Sequence, residues 1–179
     1  MNKKLLSFFA LLFLPILAQA HSGGIHLHGF AEGFVHPFSG IDHIIAMIAV
    51  GVWAKQRGGN SLYLLPFTFV AVMGLAALVG MTGVEIIGTE AGIMASNAAL
   101  IALVLISSRF STAVSMAIVG FFALFHGISH GAEMPMATET LSYMAGFIGA
   151  TSLLHGIGLL FASLWAKRTQ NNVIVANSL

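Results

Sequence analysis

The chain has 179 residues, of which 58% are hydrophobic and 7% charged, and its formal net charge is +1. A soluble domain carries roughly 25% charged residues, so this balance excludes a soluble globular protein and implies an integral membrane protein. The seven Lys and Arg lie scattered in ones and twos, which argues against a nucleic-acid partner, and with no cysteine there is no disulfide, thiolate metal ligand or thiol nucleophile.

Residues 1–20 have the layout of a secretory signal: Lys3 and Lys4, an apolar run over 5–17, and the small-x-small site Ala18-Gln19-Ala20. The apolar run is shorter than the ~20 residues that span a bilayer, so the reading is a cleaved signal, with an uncleaved first anchor as the alternative. Cleavage makes His21 the new N-terminus on the outer side. Residues 21–35 then form a lead rich in His and Gly, too polar to be buried in lipid. The amine and side chain of His21 can chelate, and with His26 and His28 they make a flexible outer collecting arm. The plainer reading is a hydrophilic lead that happens to contain histidines.

Five apolar segments follow, near 36–54, 62–82, 86–106, 112–131 and 140–165, each about the length a membrane helix needs. The alternating ten-residue strands of a barrel are missing, so the predicted fold is all-α: a polytopic membrane helix bundle of about five transmembrane helices over 36–168. Lys55, Arg57, Arg109, Lys167 and Arg168 fall on one side of these spans, and Glu32, Glu85, Glu90, Glu133 and Glu139 on the other. Basic residues mark the cytoplasmic face, which predicts an inner-membrane protein with a periplasmic mature N-terminus and a loose cytoplasmic tail over 169–179.

Ionisable residues inside the spans are costly in lipid and point to function. The first span begins His36-Pro37, and on one helix the seven-residue step from His36 to His43 puts both on a face with Met47, with Asp42 about a third of a turn away. The thioether of Met47 is a weak ligand at best, and packing is its plainer role. In the fourth span His126, His130 and Glu133 follow at i, i+4 and i+7, one stripe if the helix runs that far. Both sets fall at similar depth. A single buried histidine is more simply a hydrogen-bonding group between helices, but Asp42, His43, His126 and His130 together favour metal or proton handling. Imidazole and carboxylate without thiolate suit zinc, nickel, cobalt or iron(II). His155 in the fifth span is either a second station on a path or a packing residue. Asn97, beside Ser96, leaves the same two readings open, with packing favoured, and Glu85 and Glu90 read as solvated charge that can draw cations in.

The run 36–54, HPFSGIDHIIAMIAVGVWA, with FHGISHGAEMP downstream and a histidine at the predicted mature N-terminus, resembles the HupE/UreJ family of nickel and cobalt permeases associated with hydrogenase and urease maturation. The likeness extends over essentially the whole chain. It implies import of Ni(II), or Co(II), with His36, Asp42 and His43 matching the first family motif and His126, His130 and Glu133 the second.

The expected metal-handling residues are therefore His36, Asp42, His43, His126, His130, Glu133, His155 and His21. No catalytic residue and no prosthetic group is expected, since the metal is cargo. No Walker-type phosphate loop is present, and the HExxH pattern of zinc proteases is missing. The lipid bilayer and the metal are the expected partners, with room for a homo-oligomer and for a cytoplasmic metallochaperone. The rival readings are a membrane metalloenzyme, for which His126-x3-His130 offers one histidine box, and a metal sensor.

Overall fold

The computed structural model describes residues 25–84, 86–106, 110–134 and 139–176, with 25–28 and 171–176 described by backbone alone. The signal segment, His21, Glu85 and Arg109 lie outside the described residues. Among those described, every regular element is helical: α1 (Ile25–Val35), a 3-10 turn (His36–Phe38), α2 (Ile41–Arg57), α3 (Ser61–Gly80), α4 (Thr89–Leu105), α5 (Thr112–Ala132) and α6 (Thr140–Ala176). The all-helical expectation is met.

Helices α3, α5 and α6 are each long and apolar enough to cross a bilayer, and the chain reaches four spans if α1 with its turn and α2 count as one. Helix α4 has 17 residues, or ~26 Å at 1.5 Å per residue, against a hydrocarbon core of ~30 Å. By length alone the predicted five spans become three or four.

The single straight helix expected over 36–54 is not formed. The chain turns by 81° between Gly29–Phe38 and Ile41–Arg57. The break is at Gly40, whose extended backbone (φ −114, ψ 124) precedes α2, while the Ser39 N–H closes the preceding turn on the His36 carbonyl at 3.0 Å. His36 and His43 therefore lie on two separate elements. The lead also differs from the flexible arm expected of it, being helical from Ile25. Phe30, Phe34 and Phe38 recur at i+4, with successive ring centres 6.0 and 5.9 Å apart, which gives α1 and the turn after it a continuous aromatic stripe. A side chain at Gly146 would overlap the Phe30 carbonyl, so this part of α1 lies directly on α6. At the other end α6 continues to Ala176, through the start of the predicted tail.

Two close crossings position the centre of the molecule. On α5, any side chain at Gly127 or Gly131 would run into the backbone carbonyls of Met73 or Ala77, so α5 packs on α3 backbone to backbone. Small residues at such spacing are the usual means by which membrane helices approach. On α2, a side chain at Gly51 would overlap the His155 carbonyl of α6. The core between these pairs is fully buried Met47, Trp53, Phe69, Met73, Leu100 and Phe147. Phe67, Leu75, Leu105, Leu141 and Trp165 are exposed on the outside, the apolar exterior of a helix bundle that sits in lipid.

Candidate metal centre

Helix α5 presents His126 and His130, one turn apart, toward the first turn of α2, which presents His43. All three are buried, and one nitrogen from each lies within 4.8 Å of the others. His130 also belongs to a second group with His36 and Glu133, again within 4.8 Å. Helix α5 ends at Ala132, and Glu133 caps it with helical backbone angles and its N–H on the Ser129 carbonyl at 3.0 Å, which keeps it on the same side as His130. Its carboxylate accepts a hydrogen bond from Ser129 Oγ at 3.0 Å and lies 3.2 Å from His36 Nε2.

Exposure falls inward through the two groups. The side chain of Glu133 is 53% exposed and that of His36 20%, whereas His126 is at 0% and His130 at 1%. His130 occupies the join: its ring centre is 4.7 Å from that of His36 and 4.2 Å from that of His43. The ring of Phe147 closes on it at 4.6 Å. Neither ring nitrogen of His130 has a hydrogen-bond partner among the described residues. A buried polar group left so costs about 1–3 kcal/mol, which is unusual without a purpose.

The hydrogen bonds around His126 assign its proton. Ser96 Oγ, from α4, donates its one hydrogen to the Ile93 carbonyl at 2.6 Å, so at 2.9 Å it must accept from His126 Nε2–H. The Nδ1 of a neutral His126 then carries the lone pair, and His43 Nδ1–H donates to it at 3.0 Å. That leaves His43 Nε2 with its own lone pair. Such outer hydrogen bonds fix the tautomer and orientation of a ligating imidazole. Donors that bind a divalent ion at ~2.0–2.1 Å stand about 3–4 Å apart, so these groups need only small shifts in position to close on one, with the His43–His126 hydrogen bond given up when His126 Nδ1 ligates.

Other residues singled out in the sequence fall differently. Asp42 stands in the first turn of α2, half-buried, where a carboxylate complements the helix dipole, and it joins neither donor group. His155 is fully buried on α6, and its Nδ1–H donates to the Met47 carbonyl at 2.7 Å. The Met47 side chain is core, and it is the backbone oxygen of that residue which matters here. Asn97 Oδ1 has no hydrogen-bond partner among the described residues, while its neighbour Ser96 reaches the centre. Ser96, which the sequence reading named only as the neighbour of Asn97, is the residue whose role went unread; a serine inside an apolar helix was the available signal.

Residues 9–178 match the family model described as HupE / UreJ protein. The chain is 42% identical over 161 residues to Protein HupE of Rhizobium leguminosarum bv. viciae, which covers 90% of this chain and 84% of that protein. No solved structure matches the chain. With its helical bundle and a match over nearly its whole length, the chain belongs to the HupE / UreJ family.

Proposed function

We propose that this chain is an inner-membrane permease that imports a divalent transition metal, Ni(II) first and Co(II) second, for metalloenzyme maturation. The observation that carries the reading is the sharing of His130 between two donor groups of increasing burial. The family's association with nickel and cobalt transport supports it. A recess of about 260 Å³ lined by Ala31, Glu32, Val35, His36 and Ser39 leads to the outer group. A hydrated cation entering there meets His36 and Glu133, exchanges water for nitrogen and oxygen donors, and passes to His43 and His126 without leaving His130.

The mature N-terminus and this recess face the periplasm in this reading. An inside-negative potential then favours entry by ~2.3 kcal/mol per charge per 100 mV, ~4.6 for a divalent ion, so no nucleotide is needed. Imidazole and carboxylate are suited to Ni(II) and Co(II), and the few donors of each group keep binding weak enough for release.

The test is metal entry into proteoliposomes that contain this protein alone, measured by mass spectrometry, with competition among Ni, Co, Zn and Fe(II). Accumulation that follows an imposed inside-negative potential is expected. Tight binding without flux would favour the enzyme or sensor reading and overturn the permease.

A further inference from the structure

Beyond the two donor groups, one stripe of α6 carries buried polar atoms that have no hydrogen-bond partner among the described residues. Tyr143, Phe147, Thr151 and His155 follow at i+4 steps and all four are buried to 1% exposure or less. Tyr143 begins the stripe beside the outer group, its ring 5.9 Å from that of His36. Toward the other end, Thr151 Oγ1 and His155 Nε2 both lack a hydrogen-bond partner among the described residues.

His155 has the proton arrangement of a ligand. The Met47 carbonyl can only accept, so Nδ1 carries the hydrogen and the lone pair of the neutral ring sits on Nε2. A metal-ligating histidine characteristically donates its other N–H in this way, often to a backbone carbonyl. Met47 is one turn along α2 from His43, ~6 Å at 1.5 Å per residue, so His155 is the next imidazole inward from the first site. The Phe69 ring touches both, at 5.6 Å from His126 and 5.2 Å from His155. On its far side His155 lines a recess of about 210 Å³ with Pro66, Phe67, Val70, Ser152 and Leu159.

We infer that His155 Nε2, with the Thr151 hydroxyl one turn before it, forms an inner coordination station that receives the divalent cation from the His43–His126–His130 group. The inference rests on the permease reading. It makes transport at least a two-stage transfer along α6, with the close α2–α6 crossing at Gly51 holding the second stage in register.

The experiment compares full-length wild type, His155→Ala, His155→Asn and Thr151→Val in proteoliposomes, measuring initial Ni(II) uptake and equilibrium Ni(II) binding. Asn places an N–H where Nδ1 was, and so keeps the bond to Met47, but has no Nε2. Both His155 variants are expected to bind Ni(II) at the first site within about twofold of wild type while uptake falls by about tenfold or more, the scale on which lost metal-site contacts act. Thr151→Val should lose less. Uptake at the wild-type rate in His155→Asn would overturn the inference, because packing on Met47 would then be the whole role. Binding and uptake lost together at an unchanged melting temperature would also overturn it, by making His155 a support of the first site. Absence of uptake in the wild type itself would instead refute the permease reading.

Discussion

His43 and His126 hold their Nδ1 atoms 3.0 Å apart, although 83 positions separate them in the chain. The pair joins the first turn of α2 to α5, and behind it stands an ordered series: the Ile93 carbonyl, the Ser96 hydroxyl and the His126 ring. One backbone oxygen on α4 thereby sets the protonation of two histidines on other helices: His43 keeps a free lone pair on Nε2, and the lone pair of His126, on Nδ1, is held by the His43 N–H.

Ser96→Ala removes that control while leaving the donors in place. The His126 ring loses the acceptor of its Nε2–H and is free to exchange tautomers. Ni(II) affinity, measured on the purified protein by isothermal titration, should weaken about 10–100-fold with the helical signal preserved. An unchanged affinity would show that Ser96 is only a packing residue.

Gly131 offers a test of the scaffold. A side chain there meets the Ala77 backbone, which cannot move aside as a flexible side chain would. Gly131→Val should therefore destabilise the α3–α5 pair by about 1–3 kcal/mol or more, the range for overpacking a tight contact. Thermal unfolding in detergent reads this directly, and a melting curve equal to wild type would contradict the crossing described above.

The helical class was legible because apolar length and the need to satisfy backbone groups in lipid leave few other solutions. The meeting of His43, His126 and His130 was also legible, since helical spacing put them at comparable depth in antiparallel spans. The bend at Gly40 was not. Pro37 reads equally well as the first residue of a long helix or as part of a separate turn, and only packing of α1 on α6 favours the second. Helix α1 was missed for a related reason: its glycines and histidines suggest a loose segment, while the structure lays it directly on α6 at Gly146. The place of Ser96 depends on the approach of α4 to α5, and no periodicity within one helix reveals it.

His130 is the residue on which the account depends, because among the described residues it alone belongs to both donor groups. The most direct measurement is potential-driven Ni(II) uptake by proteoliposomes carrying wild type, His36→Ala, His126→Ala, His130→Ala or His130→Gln. Each of the first two substitutions removes a donor from one group, whereas those at His130 remove a donor from both. The account predicts that both His130 variants abolish uptake and fall below His36→Ala and His126→Ala at equal protein incorporation. Uptake by either His130 variant equal to that of His36→Ala, or of wild type, would contradict it.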